Sequence, residues 1–229
     1  MTWLLAFWRS SIGGKATMAV TGLLLFGFVV AHLLGNLQLL AGPEKLNAYA
    51  KMLHDLGPLL WVARIGLLLV FALHVATGIR LSRQNRAARP VAYAREATLQ
   101  ADFASRSMVL SGLSLLVFVV YHLLHFTLGV TNPEHFAKKA QGAGGFDVYS
   151  MVTASFANPA IATAYAAFML VLFLHLKHGI QSLGQTLGFH HGRYTPWLKT
   201  LSFLLAAALA GGNAFLALSV QLGIVGGKL

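Results

Sequence analysis

The sequence predicts an all-α integral membrane protein, a single bundle of five transmembrane helices with its N-terminus in the cytoplasm. Three observations lead there. Of 229 residues, 57% are hydrophobic and 10% charged, where a soluble domain carries about a quarter charged residues; mean hydropathy is +0.68. Five apolar runs are long enough to cross a bilayer at a helical rise of about 1.5 Å per residue. With the N-terminus inside, eleven of the seventeen Lys and Arg fall on the cytoplasmic side, the bias of the positive-inside rule. Residues 1–229 read as one domain.

The opening apolar stretch, Trp3 to Trp8, is too short for the core of a cleavable signal peptide, and no small-residue cleavage site follows it. The first span covers residues 16–40. Pro43 to Gly57 begins on Pro and ends on Gly, with Leu46, Tyr49, Leu53 and Leu56 on one helical face; it reads as a short interfacial helix on the outer side. The second span covers 60–81. A basic inner loop from Arg80 to Arg106 follows, with six arginines against Glu96 and Asp102. The third span covers 107–130. In the outer segment to Phe156, Asn132-Pro133-Glu134 marks a helix start and Gly142-Ala143-Gly144-Gly145 a break. The fourth and fifth spans cover 159–181 and 197–223. Gly, Ser and Thr recur inside the spans, as expected where helices pack closely in lipid.

The chain has no cysteine, which excludes an iron–sulfur centre, a disulfide and covalent haem attachment within it. Neither a GxGxxG fingerprint nor a P-loop is present, so no flavin or nucleotide site is visible. The net charge of +11 sorts by topology rather than forming a groove, which argues against a nucleic-acid partner and for the bilayer.

Four histidines carry the chemistry. His32, His74, His122 and His175 lie one to a span, each toward the C-terminal end of its run. Ionisable side chains inside a bilayer are costly and mark function. Consecutive spans run in opposite directions, so His32 and His122 fall near one face and His74 and His175 near the other. Two facing imidazole pairs in a helix bundle suit two six-coordinate b haems. Glycine adds a second regularity. Gly22 and Gly112 precede His32 and His122 by ten positions, and Gly78 and Gly179 follow His74 and His175 by four. Ten helical residues rise about 15 Å, which sets Gly22 and Gly112 near the level of the opposite pair, where a flat porphyrin needs clearance. Small-residue helix packing is the plainer account of the same glycines.

His125 and His178 each lie three positions after a proposed ligand and so roughly on the same face; either could exchange roles with its neighbour. His122 keeps the offset from Gly112, and His175 sits deeper than His178. His54, His135, His190 and His191 fall in loops and are expected to be solvated. Lys15, Arg80, Arg106, Lys177 and His178 are in range of haem propionates on the inner side, besides setting topology.

With these residues in place, the chain resembles the large cytochrome b membrane anchor of type-B succinate dehydrogenases and fumarate reductases, the form with five spans and two haems in one polypeptide. The resemblance runs over essentially the whole chain. Its sharpest parts are Ser10-Ser11-Ile12-Gly13-Gly14-Lys15 leading into Val20-Thr21-Gly22, His32-Leu33-Leu34-Gly35-Asn36, His74-Val75-Ala76-Thr77-Gly78, Tyr121-His122-Leu123, His175-Leu176-Lys177-His178-Gly179 and Gln185-Thr186-Leu187-Gly188. The resemblance implies a flavoprotein subunit and an iron–sulfur subunit on the cytoplasmic face of the inner membrane. It also implies that His74 and His175 hold the proximal haem and His32 and His122 the distal one. A membrane quinone, menaquinone or ubiquinone, would be the electron partner.

Electrons that pass both haems leave near the outer face, where Asn36, Gln38, Tyr49 and His54 offer donors for a quinone; the competing inner site has Ser11, Lys15 and His178. None of the six carboxylates lies within a span, so any proton route relies on water, histidines or propionates. Two other functions remain open at this level. One is the cytochrome b anchor of a formate dehydrogenase or hydrogenase, against which the ordered motifs argue. The other is a histidine-dependent proton channel or transporter, which would call for acidic partners inside the spans.

Overall fold

The computed structural model describes residues 2–88, 91, 101–141, 146–189 and 191–226. Arg89, Arg95, Glu96, the glycine-rich break at 142–145, His190 and Lys228 lie outside them. Among the described residues, the regular secondary structure is helical throughout.

Five helices are long and apolar enough to cross a membrane: Ser11–Ala41, Pro58–Ala87, Met108–Thr127, Pro159–Thr186 and Thr195–Ser219. The protein is therefore a multi-pass membrane protein. We call their regular parts α2 (Ser11–Asn36), α4 (Pro58–Ala87), α6 (Met108–His122), α9 (Pro159–Thr186) and α10 (Thr195–Ser219). The shorter helices are α1 (Thr2–Arg9), α3 (Pro43–Asp55), α5 (Phe103–Arg106), α7 (Pro133–Ala137) and α8 (Val148–Phe156).

Capping residues set where the helices begin. Ser10 accepts Gly13 N–H at 3.0 Å, so α2 starts five residues ahead of the apolar run. Asn158 accepts from Ala160 N at 2.9 Å, with Pro159 at the first position of α9. Gly42 and Gly57 flank α3 at φ +96° and +53°, values an L side chain resists. They let the chain turn out of α2, lie across the bundle end, and re-enter as α4. At its far end α4 continues past the apolar run, carrying Arg80, Arg83 and Arg86 at three-residue spacing. The third span is not uniform. After His122 it passes into a π-helical turn, Leu123–Thr127, which widens the helix by one residue.

Helices α2, α4, α6 and α9 form a four-membered ring, α2 against α4, α4 against α6, α6 against α9, and α9 against α2. Helix α10, which has no histidine, packs along the outside of α9 and α2. Its buried small residues Ala206 and Ala210 let the backbones approach. A Cβ on Gly212 would come within 2.9 Å of Leu33, and one on Gly184 of α9 within 2.5 Å of Leu198. Helix α1 lies on α2 at one end of the bundle, with Trp3, Leu5 and Phe7 exposed. Helices α3, α7 and α8 close the other end.

At the α1 end, Lys177 Nζ donates to Asp102 at 2.8 Å and ties α5 to α9. This hydrogen bond, with that from Ser105 N–H, holds Asp102 below its ordinary value of 3.8. A lowered folded-state pKa gives stability that is complete above the unfolded value and is lost as pH falls through the lowered one. Asp102 is 44% exposed, so the pair is worth about 0–1 kcal/mol. The effect of Asp102→Asn on thermal unfolding is expected to be equal at pH 7 and pH 5. A difference between the two would mean that Asp102 titrates in that range.

Candidate functional site

The ring of four helices brings its histidines together in twos. His32 of α2 faces His122 of α6 with ring centroids 5.8 Å apart and planes at 87°. His74 of α4 faces His175 of α9 at 6.5 Å and 67°. All four are half-buried. A metal ion between two imidazoles, with metal–nitrogen bonds of about 2 Å, sets ring centroids roughly 6 Å apart. Both pairs have that spacing. Among the described residues no three His, Asp or Glu converge, so the histidines offer ligation from two opposite sides rather than a protein-only cage.

The His74–His175 pair has a matched setting on each side. Thr21 Oγ1 lies 3.0 Å from His74 Nδ1 and Ser111 Oγ 3.2 Å from His175 Nδ1. A Cβ on Gly22 would stand 3.4 Å from His74 Cε1, and one on Gly112 3.4 Å from His175 Cε1. These two glycines therefore lie against the imidazoles of the opposite pair. Gly78 has Met18 nearby, at 3.7 Å from where its Cβ would be, whereas Gly179 borders open space.

The His32–His122 pair is held by aromatic packing. His32 stacks on Phe28 at 5.4 Å, and Phe118, Phe126 and Tyr165 surround His122 at 5.7 to 6.0 Å. His122 Nδ1 is buried without a hydrogen-bond partner.

His125 is committed elsewhere. It is 1% exposed, with Nδ1 2.9 Å from Tyr165 Oη and Nε2 3.1 Å from Ser155 Oγ. Ser155 gives its own proton to Met151 O at 2.9 Å, so it accepts from His125 Nε2–H, and Tyr165 O–H donates to Nδ1. Both ring nitrogens are occupied, which leaves His122 as the residue of the two with a free nitrogen. Tyr165→Phe keeps the ring packing but strands Nδ1; a loss of about 1–3 kcal/mol is expected. Thermal unfolding of the purified protein measures it, and an unchanged midpoint would show that the network carries no stability.

The cationic candidates separate. Arg80 stands with its guanidinium 4.0 Å over the Trp8 ring and donates Nη1–H to Trp8 O, while its Nε and Nη2 are buried without partners. These free donors fit a carboxylate such as a haem propionate. Lys177 is engaged with Asp102, and His178 sits beside that pair. Lys15 and Arg106 are exposed.

Each end of the bundle has a cavity. The one at the α1 end is about 280 Å³, lined by Phe7, Ala16, Thr17, Val20, Thr21 and Leu73; Ser11, Lys15 and His178 are not in its walls. The one at the α3 end is about 390 Å³ and takes its walls from His54, Trp61, Arg64, Lys139 and Phe146 among others. Burial, then the Arg64 charge, hold Lys139 below its ordinary value. His54 packs on Phe146 at 4.7 Å. Asn36, Gln38 and Tyr49 are not among the walls; Tyr49 lies against Gly35, its hydroxyl 2.5 Å from where a Cβ would be. Among the loop histidines, His135 is not solvated as expected: its side chain is 19% exposed and 3.7 Å from Glu134.

Thr21, Ser111, Tyr165 and Ser155 contact histidines without carrying a role in the sequence pattern above. For the first two a signal was present, since a hydroxyl residue stands immediately before each of the two spaced glycines. Tyr165 and Ser155 reach His125 from separate helices and leave no local pattern.

A family model described as Succinate dehydrogenase/Fumarate reductase transmembrane subunit matches residues 82–214. No curated protein matches the chain, and no solved structure does.

Proposed function

The chain belongs to the succinate dehydrogenase/fumarate reductase transmembrane subunit family, and from that membership we propose that it is the electron-transfer anchor between an iron–sulfur subunit and a membrane quinone, with two b haems bound within it. The observation that carries this reading is the two facing imidazole pairs at 5.8 and 6.5 Å. His74 and His175 hold the haem nearer the α1 end, and His32 and His122 the other. Haem held by two histidines supplies a one-electron carrier without an open iron position. Around it, Arg80 offers two free donors to a propionate, Gly22 and Gly112 give the imidazoles room, and the apolar helices keep water out.

The α1 end faces the cytoplasm in this reading, where the flavoprotein and iron–sulfur subunits dock. The charge bias supports that orientation, as does the basic extension of α4. The quinone binds at the α3 end, in the cavity with His54, Arg64 and Lys139 as donors and Trp61 and Phe146 as apolar walls. Either direction, succinate oxidation or fumarate reduction, is open to this arrangement.

The test is a reduced-minus-oxidised spectrum of the purified complex, with identification of the co-purifying subunits. Two low-spin b haems and a flavoprotein are expected. A chain purified with a flavoprotein but without haem would refute the ligand assignment. A dihaem chain accompanied by a formate dehydrogenase or hydrogenase subunit would refute the partner.

A further expected result concerns docking. Reversing Arg86, Arg89 and Arg95 to Glu should release the catalytic subunits at moderate salt, because surface electrostatic contacts are screened. Undiminished co-purification with topology intact would exclude this loop as a docking floor.

A further inference from the structure

Two hydroxyls stand behind one histidine pair, and none of the roles above uses them. Thr21 Oγ1 lies 3.0 Å from His74 Nδ1, and Ser111 Oγ 3.2 Å from His175 Nδ1. Each also meets a carbonyl of its own helix. Thr21 Oγ1 donates to Thr17 O at 2.7 Å and Ser111 Oγ to Met108 O at 3.1 Å. A hydroxyl has one proton and two lone pairs. With the proton given to the carbonyl, the oxygen meets the imidazole as an acceptor, so Nδ1 carries the ring hydrogen. The lone pair of the neutral ring is then at Nε2, the nitrogen not engaged with the neighbouring helix.

The arrangement occurs twice, at matched places. Thr21 precedes Gly22 and Ser111 precedes Gly112. In each case the hydroxyl takes Nδ1 while the glycine leaves Cε1 of the same ring at 3.4 Å from where a Cβ would be. The two cradles come from different helix pairs, α2 on α4 and α6 on α9. His122 of the other pair has no such support, its Nδ1 being buried and unpartnered.

We propose that Thr21 and Ser111 are positioning residues that fix the tautomer and ring angle of His74 and His175, and thereby set the reduction potential of the haem these histidines hold. This rests on the reading of His74 and His175 as axial ligands. A hydrogen bond from Nδ1–H raises the basicity of a ligating imidazole. A more basic ligand favours ferric iron, so losing the bond moves the equilibrium toward ferrous.

The experiment compares wild-type complex with Thr21→Val, Thr21→Ser and Ser111→Ala, using optical redox titration of each haem and electron paramagnetic resonance of the ferric forms. Thr21→Val and Ser111→Ala are expected to shift the reduced-to-oxidised ratio of the His74–His175 haem upward about tenfold at fixed ambient potential, about 59 mV for one electron. Its ferric resonance moves as well, and the His32–His122 haem stays where it was. Thr21→Ser retains the wild-type potential. Unmoved potential and resonance in both hydroxyl-free variants would overturn the proposal, as would a Thr21→Ser that behaves like Thr21→Val. If Thr21→Val does not assemble, Ser111→Ala decides alone, with the same two outcomes. A wild-type complex without bis-imidazole haem would remove the ligand reading and the proposal with it, whereas two normal haems with unmoved variants remove the proposal only.

Discussion

On the proposed dihaem reading, replacing His122 with alanine is expected to remove one of the two haems entirely and leave the other with its spectrum unchanged. The same holds for His32, while His74→Ala and His175→Ala remove the other haem. Each imidazole is half of a facing pair, so its loss would leave the proposed haem with one protein ligand instead of two. His125, three positions on, cannot take over without giving up its hydrogen bonds to Tyr165 and Ser155 at 2.9 and 3.1 Å. Leaving such buried polar groups unsatisfied costs about 1–3 kcal/mol each. A haem assay per complex and a low-temperature difference spectrum check this. A full two-haem spectrum after His122→Ala would overturn the assignment.

The second large effect separates the two ends of the bundle. On the proposed electron path, His32→Ala is expected to stop quinone reduction while succinate still reduces the haem assigned to His74 and His175. The quinone in this reading sits in the α3-end cavity beside His54, beyond the lost haem, and electron delivery to it ends. Normal quinone reduction in that variant would move the site to the α1 end, near Thr21 and Leu73. Both rates are read in one preparation by following haem absorbance and quinone reduction after adding succinate.

The spans were legible because lipid demands a run of apolar residues, and five such runs stand in the chain. Their ends were less so. Helix α2 begins at the Ser10 cap and α4 continues through its arginines to Ala87, since capping and helix propensity, not hydropathy, decide where hydrogen bonding stops. The Trp3–Trp8 stretch gives no helix signal of its own, because the eight residues of α1 are too few to span, though enough to lie along α2. Alternating span direction was enough to pair His32 with His122 and His74 with His175, and the folded chain brings the same residues face to face. The π-turn after His122 has no periodic signature, yet His125 lies within it. Of the outer quinone candidates, His54 lines the α3-end cavity and Asn36, Gln38 and Tyr49 do not; the packing of Tyr49 onto Gly35 depends on how α3 folds back, which the sequence alone does not reveal.

The order in which the helices leave the ribosome gives the two histidine pairs different histories. His32 finds its partner on α6, and His74 must wait for α9. At about 5–20 residues per second, the roughly fifty residues between His122 and His175 take about 3 to 10 s to make. During that interval one pair is complete and the other is an unmatched histidine with its hydroxyl support already beside it. Cofactor delivery to a nascent chain would therefore fill the α3-end site first. A chain truncated before α9 would keep His32 and His122 but lose Tyr165, which packs on His122.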